Sequence, residues 1–547
     1  MSSPAPAFTP TADRRNALDR AHIGDIEGEG ALGTLHAFDT GPRLSTRRRL
    51  GTLLAVLGPG IVVMVADNDA GTISVFAQAG QDHGMRLLWV ILALCPALYV
   101  TQEMVARLGA VTGSGHARLT LERFGKLWCG FSLADLAVLN LATLVTEFIG
   151  VALALSYFGV AKYLSVPVAA ALLIVVTCAG SFRRWERAMY VMIAADLALI
   201  PLALLSRPHA GRVAAGLIPS LGGSSSSSAL LLLLLALVGT TISPAQLFFQ
   251  QSNVVDKRIT PRWLSYERVD TAIGAVLFAA CAGAVLILSA TALGGSPSDT
   301  HFTDAGAVAH GVAAHLGPTA GAVFAIALLN ASLLGACVVS LSVSYALAEV
   351  IGIKHSLHRS WRDAKAFHAS FAALVALAAA VVLAPRLPLG AVTTLVRAFA
   401  GILLPSTLVL LIILCNDKSL LGPLTNGRWL NASAIAAVAV VLGLSTLLTI
   451  TAALPHLGVG DALLATGALL LAAGLALASS HLRNRQSSPP EDELLTPWQR
   501  RTWSAPALEL VRPASPTRPR VLALAILRLY ILTIAGLLLL KLTGVIP

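Results

Sequence analysis

Apolar runs long enough to cross a bilayer recur along almost the whole chain, separated by short polar turns. A spanning helix needs about 20 apolar residues. The pattern predicts helices near 49–80, 87–110, 129–157, 164–180, 188–206, 228–251, 270–293, 319–351, 368–385, 391–415, 432–454 and 459–482, with a last apolar helix at about 521–543. Two runs are interrupted. The first passes from Gly58-Pro59-Gly60 through Val65-Ala66 to Asp67-Asn68-Asp69-Ala70-Gly71-Thr72 before turning apolar again. The second breaks at Gly239-Thr240-Thr241-Ile242-Ser243-Pro244-Ala245-Gln246. These breaks are the most informative feature of the chain. Paired interrupted helices in the two halves of a polytopic protein point to the binding site of a transporter built from inverted repeats.

Composition agrees. Of 547 residues, 56% are hydrophobic and 12% charged, which fits an all-α polytopic membrane protein. The pattern divides into a tail at 1–48, a transmembrane core at 49–482, a polar linker at 483–520 and a C-terminal hydrophobic helix at 521–547. Within the core, 49–206 and 228–415 are expected as two repeats, with extra helices at 432–482. The first fifty residues lack the apolar segment of a cleavable signal peptide.

The net charge of +11 is a matter of topology rather than nucleic-acid binding. With the N-terminus inside, the inner loops hold seventeen Lys and Arg, from Arg107 and Arg118 through Lys257 and Lys365 to Arg428. The outer loops hold five: Arg86, Lys162, Arg207, Arg212 and Arg386. This bias predicts a plasma or inner membrane protein with a cytoplasmic N-terminus, whose surroundings are the lipid bilayer. The tail carries His22, Asp25, Glu27, Glu29, His36 and Asp39, a loose metal-binding set or, on the plainer reading, part of a solvated arm. The run Ser224–Ser228 reads as a flexible outer loop, and the loop with Asp299, His301 and Asp304 also falls outside. Six scattered cysteines form neither a disulfide framework nor a zinc motif. No nucleotide-binding loop is present, so ATP-driven pumping by this chain alone is not expected; the reading is of a carrier rather than an enzyme, with no cofactor.

An ionised carboxylate in hydrocarbon costs roughly 2.5–3.5 kcal/mol and needs a partner or a function. Residues 49–80 would span near 48 Å if helical throughout, at about 1.5 Å per residue. Asp67, Asn68 and Asp69 then fall inside a broken helix, or else the helix ends at Asp67 and the acids sit in an outer loop. The second break favours the first alternative. Pro244 removes a backbone hydrogen bond one turn earlier, near Thr240. Freed carbonyls near Ala66, with a carboxylate, are hard oxygen ligands suited to a divalent cation. Glu147, Asn140 and Thr143 lie on the third helix and read as facing a watery cavity, while Asp135 lies nearer the inner interface. Arg397 is expected to snorkel to the outer surface.

Several segments resemble the NRAMP family of divalent-metal transporters. They are Gly58-Pro59-Gly60, Asp69-Ala70-Gly71-Thr72, Gln102-Glu103 through Gly115, and Leu404-Pro405 through Asn431. The resemblance covers roughly 50–450 and implies a LeuT-type fold of five plus five helices and alternating access. It implies an ion site of Asp69, Thr72, Ala66, Thr240 and Ser243. Glu147, Asp67, Asn68, Gln246 and Asn140 would stand behind it or along its pathway. The departures are informative. Ala70 and Thr72 replace the family's Pro and Asn, Ser243 replaces its Met, Ala245 replaces its His, and Arg397 stands at its helix-10 Gln. The pattern is similar to the NRAMP-related branch associated with magnesium. Loss of a thioether favours hard ions such as Mg²⁺ and Mn²⁺ over soft ones. The expectation is a secondary or facilitated carrier for Mg²⁺ or Mn²⁺. The alternatives are a proton-coupled Mn²⁺/Fe²⁺ importer, an organic-solute carrier of the same fold, and an intramembrane aspartyl protease using Asp67 and Asp69. The last requires two carboxyls sharing one proton, whereas acids at i and i+2 of a helix point apart.

Overall fold

The computed structural model describes residues 26–484 and 496–542, apart from 40, 42, 221–227, 295–302, 385–388, 454–458 and scattered positions between 497 and 516. The described chain is a bundle of helices in which both interrupted segments are broken as expected. The first is α1 (Thr46–Val56), α2 (Pro59–Ala66) and α3 (Ala70–His83). Leu57 and Gly58 bend α1 from α2 by 51°, and Gly58 has a φ of 151°, which disfavours side-chain-bearing residues. The rest of the first half is α4 (Leu88–Thr112), α5 (His116–Phe124), α6 (Lys126–Ser156), α7 (Lys162–Thr177), α8 (Phe182–Asp196), α9 (Leu199–Leu205) and α10 (Ala210–Gly216).

The second half opens on the broken pair α11 (Ser228–Thr241) and α12 (Pro244–Asp256). It continues with α13 (Leu264–Ala292), α14 (Ala305–Leu316), α15 (Pro318–Ile351), α16 (Lys365–Leu383) and α17 (Leu389–Cys415). Then come α18 (Lys418–Leu421), α19 (Arg428–Ala453), α20 (Val459–Asn484) and α21 (Arg518–Leu542). Among the described residues nine helices are long and apolar enough to cross a membrane, or ten if the bent α1–α2 pair is one span. The hydropathy pattern gives thirteen candidates. The difference arises partly because α7 and the apolar part of α20 are shorter than a full span.

The core forms where the halves meet. α13 lies along both pieces of the first broken helix, α15 along α6, and α11 along α17. The N-terminus of α2 has no side-chain cap of its own. Its free donors are met from α13 instead: Gly60 N donates to Asp270 Oδ2 at 2.6 Å and Ile61 N to Oδ1 at 3.4 Å. A carboxylate there also complements the helix dipole. Helix five, expected as one run at 188–206, is interrupted after Asp196, whose Oδ1 accepts from Asn330 Nδ2 at 2.7 Å. The loop after α13 contains α14, capped by Asp304, where only a loop was expected. Asp299 and His301 lie outside the described residues, as do Ser224–Ser227.

The tail departs most from the sequence reading. Rather than an unstructured arm, Ile26–Gly30 (β1) and Gly33–His36 (β2) form an antiparallel hairpin. Its acids pair with protein groups. Glu29 meets Arg183 at 3.0 Å, Glu27 accepts from Trp263 Nε1 at 3.1 Å, and Asp39 meets Arg43 at 2.6 Å. His36 stacks on Phe38. Among the described residues no cluster of three His, Cys, Asp or Glu is placed to hold a metal; His22 and Asp25 lie outside them. Part of the polar linker is likewise seated rather than free. Ala505 N donates to Val111 O at 2.9 Å, and Trp503 lies against Gly422.

Beneath the hairpin, Lys257 Nζ donates to Glu186 Oε1 at 2.6 Å and to Leu57 O at 2.5 Å, and both side chains of the ion pair are buried. Removing one partner of a buried pair strands a charge and costs about 3–5 kcal/mol. Glu186→Ala is therefore expected to lower the melting temperature of the purified protein markedly. The double change Glu186→Leu with Lys257→Met should recover most of that loss. Equal melting of wild type and Glu186→Ala would show that the pair contributes nothing.

Candidate functional site

The two breaks meet at the centre of the bundle, and each re-forms a helix with its own cap. Asp69 caps α3, its Oδ1 accepting from Thr72 N at 2.9 Å. Ser243 caps α12 in a reciprocal box. Its Oγ accepts from Gln246 N at 3.4 Å, while Gln246 Oε1 accepts from Ser243 N at 3.3 Å. Pro244 takes the first helical position, where its missing N–H is not needed. Opposite these N-termini, α2 and α11 end, presenting last-turn carbonyls toward the same place. The outer-loop alternative for Asp67 to Asp69 is thereby excluded: all three are buried.

Between the breaks is a cavity of about 10 Å³, roughly the room one water needs. Its lining includes Ala66, Asp67, Asp69, Asn140, Ser243 and Gln246, six of the residues expected from sequence. Thr143, Leu139, Ala245 and Arg397 complete its polar and apolar walls, with Val63, Val338, Val339 and Ala400. Ser243 Oγ lies 3.4 Å from Asp67 Oδ1. Gln246 Oε1 also accepts from Gln102 Nε2 at 2.9 Å, and Asn140 Nδ2 donates to Ser342 Oγ at 2.5 Å and to Val339 O at 3.2 Å. Two buried acceptors, Asp67 Oδ2 and Asn140 Oδ1, have no hydrogen-bond partner. Buried polar groups are normally satisfied; two donors of the same lining, Gln246 Nε2 and Arg397 Nε, are unpartnered as well, so the cavity suits a water or a cation that carries one.

Other expected residues stand elsewhere. Thr72 and Thr240 do not line the cavity; their hydroxyls contact each other across the two breaks. Asn68 is buried but does not line it either. Glu147 does not face open water. Its Oε2 accepts from Ala70 N at 3.0 Å, adding a second carboxylate to the N-terminus of α3. Asp135 is held by Ser406 Oγ at 2.6 Å.

Arg397 overturns its expected placement. It does not snorkel outward but is 1% exposed, its Nη2 lying 2.5 Å from Asp69 Oδ2 and 2.9 Å from Glu147 Oε1. A Cβ at Gly71 would overlap its guanidinium, so the glycine of the first break makes its seat. One signal was available in the sequence: an arginine within an apolar run and surplus acids at similar depth require each other. Among the described residues no histidine lines the cavity. His116 on α5, between spans, packs against Gln251 and Phe248, and burial pushes its imidazole down to about 4.

Residues 60–451 match the family model described as natural resistance-associated macrophage protein-like, well over half of the chain. The chain belongs to the Nramp family. Among its Nramp relatives, a protein of Levilactobacillus brevis named divalent metal cation transporter MntH is 27% identical over 396 residues, covering 69% of this chain and 85% of the relative. The MntH of Ralstonia nicotianae is 28% identical over 407 residues, covering 71% and 89%. A solved structure of the Eremococcus coleocola manganese transporter superposes with a TM-score of 0.62 at 20% identity, covering 79% of this chain and 94% of that one. The Nramp fold here is the LeuT-type inverted repeat, with α1–α3 and α11–α12 as corresponding broken helices.

Proposed function

We propose that the chain moves divalent metal cations across its membrane by alternating access, with the ion bound between the two helix breaks. The observation that carries this reading is the convergence of Asp67, Asp69, Asn140, Ser243 and Gln246 on one enclosed cavity at both breaks. The relatives named divalent metal cation transporters support the substrate class. Carboxylate, amide and hydroxyl oxygens without sulfur favour hard ions, Mg²⁺ and Mn²⁺ before Cd²⁺. Mg²⁺ retains waters when bound, and the small side chains of Ala245 and Ser243 leave room in the cavity for about one of them. Manganese import is supported as well, by the fold shared with a manganese transporter. The basic bias of alternate loops supports a cytoplasmic N-terminus.

The test is uptake into proteoliposomes with an internal fluorescent indicator, with and without a pH gradient. Mg²⁺ and Mn²⁺ are expected to enter in a saturable manner without stoichiometric internal acidification, because among the described residues no histidine faces the cavity. Acidification that rises with metal influx would instead establish the proton-coupled importer. Absence of any metal uptake by a well-folded protein would end the carrier reading.

A further inference from the structure

We propose that a groove between α4, α9, α10 and α13 seats one anionic phospholipid, with an acyl chain in the groove and the phosphate among Arg86, Arg207 and Arg212. The inference needs the chain to lie in a bilayer and does not depend on which ion it carries.

The groove has a volume of about 240 Å³, and among the described residues no polar side chain lines it. Leu88 and Leu92 come from α4, Leu204 from α9, Val213 and Leu217 from α10, and Gly283 from α13. It opens on the outside of the bundle, where Leu92, Leu204 and Leu217 are each 44% exposed or more. It lies at one end of the spans, where α4 begins, α9 ends and α13 nears its end. On the orientation proposed above, this is the outer leaflet. The volume is below the roughly 300–1,000 Å³ of a drug-sized site, and nothing in the lining would orient a polar ligand. A slender apolar chain fits it.

Apolar filling alone selects no particular lipid, because lipid tails are as apolar as leucine. Selection comes from the rim. Arg86 stands two positions before Leu88, Arg207 three after Leu204, and Arg212 directly before Val213. Two contacts hold these segments together. Gly216 fits against the Met85 carbonyl with no room for a side chain, and Trp89 Nε1 donates to Ser220 O at 3.4 Å. Arg207 has a φ of 51°, uncommon for a residue with a side chain, and the turn it makes brings α10 back onto the start of α4. All three arginines are exposed, and among the described residues none has an ion pair or a side-chain hydrogen bond. The acid nearest Arg86 in sequence, Asp82, pairs with none of them. Outer loops are normally poor in Lys and Arg, yet three of the five assigned there rim this one groove. Three unpaired cations beside an apolar slot complement a phosphate on a tail. An anionic headgroup answers their charge, whereas a zwitterionic one brings a cation of its own.

The test uses the full chain in mild detergent. Its probes are dioleoyl phosphatidylglycerol and dioleoyl phosphatidylcholine, which share their tails and differ in headgroup charge. Native mass spectrometry counts the retained lipid, and melting reads the stabilisation it gives. Wild type should keep one phosphatidylglycerol under conditions that strip phosphatidylcholine, and should melt several degrees higher with the former. The gain should shrink between about 0.1 and about 1 M salt, as the screening length falls from about 10 to about 3 Å. Arg86→Gln, Arg207→Asn and Arg212→Gln should each weaken the preference about fivefold; asparagine is used at 207 because it tolerates a positive φ. Gly283→Phe should abolish retention with every arginine in place. A Cβ at Gly283 meets nothing within 4 Å, so the ring can enter the groove, and replacing a glycine inside a helix does not weaken α13.

If Gly283→Phe keeps phosphatidylglycerol as wild type does, the arginines hold lipid without the groove and the inference is wrong. It is equally wrong if wild type retains both lipids alike or neither, or if removing all three arginines leaves the preference intact. A dimer that Gly283→Phe splits would give the groove to a second copy of the chain and also overturn it. Should Gly283→Phe fail to fold, Gly283→Leu decides, being smaller and a good helix former.

Discussion

Asp69→Asn is expected to reduce divalent-cation uptake in proteoliposomes by more than about 100-fold, since losing even an outer partner of a metal ligand costs roughly 10–100-fold. Asparagine is chosen because it caps helices about as well as aspartate. The bond to Thr72 N that starts α3 can therefore survive, and only the charge is lost. Arg397 would keep its contact with Glu147, so the fold should remain intact by size exclusion and melting. Asp69→Ala should abolish transport equally but also lose the cap, at about 1 kcal/mol. A folded Asp69→Asn protein with wild-type uptake would remove Asp69 from the ion site.

Ser243→Met is expected to invert selectivity. Ser243 lines the cavity and contacts Asp67 with a hard oxygen. A thioether there is a soft ligand that favours Cd²⁺ and, less strongly, Mn²⁺. It would also fill the cavity of about 10 Å³, displacing the single water that it has room for and that a bound Mg²⁺ would keep as a ligand. The change removes the α12 cap as well, costing about 1 kcal/mol of stability, so binding is the measurement to make. Calorimetry on both proteins with Mg²⁺, Mn²⁺ and Cd²⁺ should show Cd²⁺ affinity rising and Mg²⁺ affinity falling in the variant. Wild type that binds Cd²⁺ far more tightly than Mn²⁺, or ignores millimolar Mg²⁺, would refute the hard-ion preference.

Both helix breaks were legible because their signals are local. Asp69-Ala70-Gly71-Thr72 and Ser243-Pro244-Ala245-Gln246 interrupt apolar runs with residues that cap or start helices. The cavity lining followed from them, since Ala66, Asp67, Asp69, Asn140, Ser243 and Gln246 all reach it. What escaped was long-range. Arg397 meets acids 328 and 250 positions away, and hydropathy alone cannot distinguish an arginine reaching for the surface from one reaching for a carboxylate. The hairpin at 26–36 was missed for a similar reason. Two strands of five and four residues are weak signals, and what holds them, Arg183, Glu186, Lys257 and Trp263, belongs to distant helices. Thr72 and Thr240 were assigned to the ion by alignment with the family pattern. Nothing local indicates that two hydroxyls facing the same gap will choose each other.

The hairpin lies before residue 60, where the match to the family begins. It is fastened to α8 and to the end of α12: Glu29 N donates to Lys257 O at 3.2 Å, and Ala31 N donates to Glu186. If the alternating access proposed above parts these helices, the hairpin must be peeled away as well. On the carrier reading, how quickly the protein cycles and which ion it chooses would then depend on different parts of the chain. Substitutions in the hairpin would retune the pace of transport while leaving the chemistry of recognition untouched.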